Sequence, residues 1–262
     1  MRVCVQGIGV LGAGLPDWPT ARAILCGGRV YRQEPPPQPR PDLLPPNERR
    51  RGAAIMRWSI AAAQEAVAAS GLAASDLATV FTSSGGDADT LNNICQALAT
   101  PERIVSPTRF QNSVHNAPAG YWSIGAASRR SSVTLCGHDA SFAVGLLEAA
   151  SEVVVDQAPV LLVACDLRYP EPLWAVRPIT EAFAVALVLA PPPARDSLAF
   201  WSISVERGDA VGEFPAAIPA AFRDNPAGRA LTLLEALAQR AAGPIKMSYI
   251  DGCHVVVDSI NE

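Results

Sequence analysis

Charge and histidine are scarce in this chain. Only 18% of its 262 residues are charged, three are histidines, and the formal net charge is -4. So light a charge of the wrong sign excludes the basic stripe of a nucleic-acid interface. The six cysteines, Cys4, Cys26, Cys95, Cys136, Cys165 and Cys253, show neither CxxC nor His–Cys ligand spacing. That argues against a zinc site or a disulfide framework and for small buried apolar residues. No metal and no cofactor are expected. Long apolar runs are missing too: Ala182 to Ala190 falls far short of the ~20 residues a membrane span needs. The first stretch carries a single Arg2 and is broken by Gln6 and four glycines, so it is not read as a signal peptide, and a cytoplasmic location is expected.

What the chain does have is apolar bulk, 49% of its residues, enough for a sizeable core in one compact domain. Val3 to Gln6 forms a short strand pattern, followed by Gly7-Ile8-Gly9-Val10-Leu11-Gly12. This matches the GxGxxG of dinucleotide folds, whose physics requires a helix to begin at the glycines. Gly14, Pro16 and Pro19 stand where that helix would run. A glycine-rich turn that lets the backbone pass close to a neighbour is therefore favoured. Residues 35–46 hold seven prolines and must form an extended surface loop or lid. Asn47 is expected to cap one helix carrying Met56, Ile60, Ala63 and Val67 at helical spacing, with Gly71 as its stop. Arg49, Arg50, Arg51 and Arg57 then oppose the macrodipole in its first turns, unless an anionic partner answers them; the alternative is a solvated charged turn.

Ala78 to Thr82 is a buried strand pattern leading through the turn Ser83–Asp87 to a helix with Leu91, Ile94, Cys95 and Leu98. A helix over about Asn116 to Ala127 precedes a strand, Val133 to Cys136, and a helix with Phe142, Leu146, Leu147 and Ala150 on one face. Val160 to Ala164 and Phe183 to Leu189 are continuous apolar runs, as in strands covered on both faces. The order predicts an α/β fold with a largely parallel sheet, the last two of these strands closing an antiparallel edge. Beyond Pro191-Pro192-Pro193, strands at Phe200 to Val205, Lys246 to Tyr249 and His254 to Val257 and a helix at Pro226 to Arg240 form an abbreviated echo of the first half.

The segments VCVQGIGVLGAG, NERRR, SPTRFQNSVHNAPAGYWSI, GHDASFAVGLLEA and VLLVACD together resemble the beta-ketoacyl synthases of thiolase-like fold, and in particular their short chain-length-factor-like members. The resemblance covers about residues 1–190, and SPTRFQNSVHNAPAG is its specific part. It implies residues 1–193 as a complete ketosynthase-like first half and 194–262 as a shortened second half packing on it. It also accounts for the GIGVLG segment as the first strand and turn of that fold.

A condensing member of the family needs a cysteine nucleophile at the start of the buried helix, where free N–H groups favour a thiolate. Gapless counting from SVHNAPAGYWSI places Asp139 there, and counting back from VLLVACD gives Ala140; Cys136 comes three residues too early. Asp139 is read as a helix N-cap in preference to a catalytic carboxylate. The two histidines of the family's machinery come from its second half, where this chain offers His254 alone, without the family's motifs; His115 and His138 lie in the first half. Ser141 and His138 are the weak catalytic candidates, since neighbours on a helix start rarely meet side to side.

The resemblance thus implies an accessory subunit without condensing activity, forming a heterodimer with an active ketosynthase or a homodimer. It would act on acyl chains borne by acyl carrier protein in fatty-acyl or polyene biosynthesis, as in aryl polyene and xanthomonadin-type pathways. Phe110, His115, Asn116 and Trp122 are interface or tunnel-wall candidates, with core packing the alternative for Phe110 and Trp122. Arg49, Arg50, Arg51 and Arg57 would face the carrier protein. The rival expectations are an acyltransferase or malonyl decarboxylase with a remodelled site, and a self-associating scaffold without acyl ligands.

Overall fold

A computed structural model describes residues 1–194, 196–208 and 214–260. The chain opens with β1 (Arg2–Gly12), α1 (Trp18–Leu25), α2 (Pro46–Arg51), α3 (Ala54–Ser70) and β2 (Ala78–Thr82). There follow α4 (Ala88–Leu98), α5 (Pro107–Asn112), α6 (Ala117–Gly125), β3 (Ser132–Leu135), α7 (Ser141–Asp156) and β4 (Val160–Asp166). The remainder is α8 (Leu173–Val176), β5 (Phe183–Ala190), β6 (Ala199–Arg207), α9 (Ala230–Gln239), β7 (Ile245–Ser248) and β8 (Cys253–Ile260).

All these strands join one sheet in the order β3-β2-β4-β5-β1-β6-β8-β7. Only the β2–β3 and β2–β4 pairs are parallel. The expected parallel sheet with an antiparallel edge is therefore corrected: β5 lies mid-sheet, antiparallel to both β4 and β1. Its eight residues, all buried, carry no alternation because both faces are covered. One core joins the sheet to α1, α7 and α9, and the other joins it to α3 and α6. The strands after residue 193 extend this same sheet through β6, which pairs with β1.

The glycine-rich segment is strand, not turn. Gly7 and Gly9 lie two apart on β1, hence on one face, and α3 presses its backbone onto that face. A Cβ built on Gly7 would sit 2.0 Å from the Ala66 carbonyl oxygen, and one on Gly9 would sit 2.0 Å from that of Ala62. Close approach is thus the reason for these glycines, as expected, but in a different local structure.

The following prolines start a helix instead of preventing one. Asp17 accepts from the Thr20 N–H at 2.7 Å, and Pro19 occupies the first turn of α1, where its missing donor costs nothing. The expected helix from Asn47 to Gly71 is split in two. Gly52 is extended (φ -71°, ψ 141°), and the Met56 side chain fills the space a side chain at 52 would need. Asn47 lies inside α2, whose capping position is Pro45. Arg49, Arg50 and Arg51 consequently sit in the last turn of α2, where the dipole favours cations; the expected opposition is reversed.

Candidate functional site

Three parallel strands end at one place, and their carboxyl ends carry the polar groups. β2 is followed by Ser83 and Ser84 and β3 by Cys136, and β4 ends in Asp166. Crevices beyond the carboxyl ends of such strands are where α/β sheets build sites. The Ser83 hydroxyl donates to Asp166 Oδ1 at 3.0 Å, and the Ser84 N–H donates to the same oxygen at 2.7 Å. Oδ2 of Asp166 has no partner among the described residues. Burial dominates these bonds and pushes the Asp166 carboxyl up to about 6. The Ser84 and Tyr169 hydroxyls meet at 2.9 Å, and the Cys136 thiol donates to the Ser84 carbonyl at 3.0 Å.

From Tyr169 the network passes to charge. The Arg177 guanidinium lies 5.8 Å from the Tyr169 ring centroid and donates to Asp139 Oδ1 at 2.6 Å. Arg229 donates to Asp139 Oδ2 at 3.0 Å. Asp139 therefore does not cap α7; its carboxylate is divided between Arg177 at the end of α8 and Arg229 at the start of α9, and no side chain makes a capping bond at Ala140. The expected N-cap is corrected because two guanidinium groups outcompete helix N–H donors for one carboxylate.

The turn itself is tight. His138 takes a left-handed backbone conformation (φ 51°), a strain of ~1 kcal/mol or more for a residue with a side chain. It brings the imidazole Nδ1 to 3.5 Å from Asp139 Oδ1. Ser141 is fully buried. Its hydroxyl donates to the His138 carbonyl at 2.7 Å and accepts from the Gly137 N–H at 3.1 Å. The pairing that would activate a serine, hydroxyl to imidazole, is not formed between Ser141 and His138.

The other histidines lie in separate settings. His115 Nε2 is 3.1 Å from the Ser83 carbonyl oxygen, while His254 Nδ1 is 3.1 Å from the carbonyl of Gly208 and its Nε2 is 3.5 Å from Glu206. Of the other predicted residues, Phe110 is 67% exposed and Asn116 is exposed, whereas Trp122 is 1% exposed and packs in the core beside α3. Arg49 pairs with Asp42 at 3.0 Å and Arg51 approaches Glu48 at 3.9 Å; Arg50 bonds Asn47. Arg57 is half-buried, with Nε unpartnered among the described residues.

Sequence reasoning missed Asp166, Arg177, Arg229 and Asn225. Asn225 is fully buried and donates to the carbonyls of Asp166 and Glu181 at 2.7 and 2.8 Å, fastening the second half to the end of β4. Asp166 had a readable signal, a lone carboxylate closing an apolar run. The arginines had none, because segments far apart in sequence deliver them.

The sequence profile of the beta-ketoacyl synthase N-terminal domain matches residues 28–242. The chain belongs to the beta-ketoacyl synthase family. No curated protein sequence matches it. Among solved structures, this ketosynthase-like chain is similar to one in a complex of a ketosynthase with its chain length factor from Xenorhabdus doucetiae, at 21% identity and TM-score 0.74, over 98% of this chain and 99% of that one. The ishigamide ketosynthase/chain length factor gives 12% identity and TM-score 0.76, over 99% of each chain. A type II polyketide synthase acyl-carrier protein in complex with its ketosynthase, bound to the hexaketide, gives 14% and 0.76 over the same shares. The fold is thus the thiolase-like ketosynthase fold in abbreviated form.

The Asp139 bridge carries a direct prediction. Asp139→Asn keeps the shape but leaves Arg177 and Arg229 facing each other without the carboxylate. With Asp139 45% exposed, solvent screening limits the expected loss to ~1–2 kcal/mol. Urea denaturation should show it, and the gap from wild type should narrow in ~1 M salt, where the Debye length is ~3 Å. A gap indifferent to salt would rule out the electrostatic account.

Proposed function

We propose that this chain is a ketosynthase-like accessory subunit of the chain-length-factor kind, pairing with an active ketosynthase and lacking condensing activity of its own. The observation that carries this reading is Asp139. Counting along the family's motifs puts Asp139 or Ala140 where a condensing enzyme needs a thiolate; neither is a thiol, and the Asp139 carboxylate is already bound by Arg177 and Arg229. The exposed Cys136 lies before the turn with its thiol directed to the Ser84 carbonyl.

The partner surface we assign is the β3 edge and the helices beside it. In the β2–β3 ladder the Ser131 and Leu135 carbonyls accept from Thr79 and Ser83. Alternation then turns the backbone groups of Ser132 and Thr134 away from β2, open to another chain. α6 packs on β2 and β3, and Ile104, Phe110, Val114 and Ile124 are large apolar residues exposed along this stretch. Exposed apolar side chains beside an open strand edge are what a partner subunit would cover. Among the similar structures, a ketosynthase occurs with its chain length factor or with a carrier protein. The exposed Arg50 and Arg51 are the residues assigned to an acyl carrier protein here, and a polyene or fatty-acyl chain is the cargo.

The test combines the purified chain with a ketosynthase and an acyl carrier protein from the same organism. A stable complex and a shifted product length are expected. Phe110→Asp should weaken association at least ~10-fold, the cost of placing a carboxylate in a desolvated contact. No complex and unchanged product length would overturn the proposal.

A further inference from the structure

A second cleft opens between α7, α9 and β7, with a volume of about 210 Å3. One wall is apolar, made by Phe142, Ala143, Phe214 and Met247; Arg223, Arg229 and Lys246 bring positive charge. Asp139 is the one carboxylate among the lining residues, and it is already shared between Arg177 and Arg229. Arg223 lies over the Phe214 ring, 5.4 Å from its centroid, and makes no ion pair among the described residues. Lys246 has Glu206 at 3.7 Å, and both side chains are open to solvent. Nε of Arg229 is a donor without a partner among the described residues. Among the described residues the cleft therefore combines cationic capacity left over after internal pairing with an apolar wall that a bare ion would leave uncovered.

Guanidinium forks match carboxylate and phosphate oxygens. The volume lies below the ~300–1,000 Å3 of drug-sized sites, so the occupant is small. Each methylene laid on the apolar wall strengthens binding about fourfold. We propose that the cleft binds a small anionic amphiphile, a short alkyl chain ending in a carboxylate or phosphate. The head lies among Arg223, Arg229 and Lys246, and the chain runs against Phe142 and Met247. This does not depend on pairing with a ketosynthase.

Calorimetric titration of the whole chain with octanoate, octyl phosphate, octanamide and inorganic phosphate tests it. Octanoate or octyl phosphate should bind at least 10-fold more tightly than both octanamide and inorganic phosphate; which of the two binds assigns the head group. Arg223→Gln, at an exposed position, should weaken that binding at least 10-fold with the melting temperature unchanged. Should that variant lose stability, Lys246→Gln gives the same reading. Binding of octanamide or inorganic phosphate as tight as that of the amphiphiles overturns the proposal. So does amphiphile binding indifferent to Arg223 and Lys246, or no binding at all.

Discussion

Gly9→Ala is expected to destabilise the protein by at least ~3 kcal/mol, among the severe effects of a single methyl group. The added carbon would lie 2.0 Å from the Ala62 carbonyl oxygen, whereas even a C–H···O contact needs ~3.3 Å between carbon and oxygen. Backbone, not a flexible side chain, stands in the way, so α3 would have to retreat by more than an ångström from β1. That retreat would open the core in which Leu11, Ile60 and Ala63 pack. The melting temperature should fall by roughly 10 °C or more. Gly120→Ala supplies the contrast: in α6 an added Cβ meets nothing within 4 Å, and alanine should stabilise the helix by up to ~1 kcal/mol. Equal effects of the two substitutions would refute close approach as the reason for the β1 glycines.

Asp166→Asn should abolish a stability gradient between about pH 4 and pH 6. Burial pushes this carboxyl up to about 6 in the folded protein, against ~3.9 in an unfolded chain. Between those values the folded state binds the proton more tightly, so stability is lost as pH rises and the loss is complete above pH 6. The contribution amounts to ~2–3 kcal/mol at neutral pH. An asparagine can keep an acceptor oxygen for Ser83 and Ser84 and puts an uncharged amide where Oδ2 lacks a partner among the described residues. The variant should therefore be more stable than wild type at pH 7.5 and no more stable at pH 4. Urea midpoints at the two pH values measure the difference, and parallel pH profiles would refute the assignment.

Continuous apolar runs were legible in the sequence as strands. β2 matches the expected Ala78 to Thr82 residue for residue, and the apolar runs of β4 and β5 were recognised to within two residues. β5 as a central antiparallel strand was not legible, because a run covered on both faces states its burial but not its direction. The glycines of β1 were misread as a turn, although their spacing of two is the period of one strand face. At the site, the turn before α7 and its aspartate were found, but not what the aspartate does. Its partners Arg177 and Arg229 lie 38 and 90 residues away, and no local pattern reports a contact of that span. Trp122 sat in a motif yet belongs to the core, since a large indole beside α3 fills volume.

The placement of β1 sets the order in which the protein can be completed. This strand is made long before its neighbours on either side: Cys4 is paired with Ala190 and Phe200, and the Met1 nitrogen donates to the Ile203 carbonyl at 2.6 Å. At ~5–20 residues per second of synthesis, β1 waits on the order of ten seconds or more for a strand to pair with. During that time α3 can cover only one side of it. Closure of the sheet is a late, long-range event, the kind that folds slowly and exposes apolar strands in the interval. Slow refolding is the expected consequence of where β1 lies.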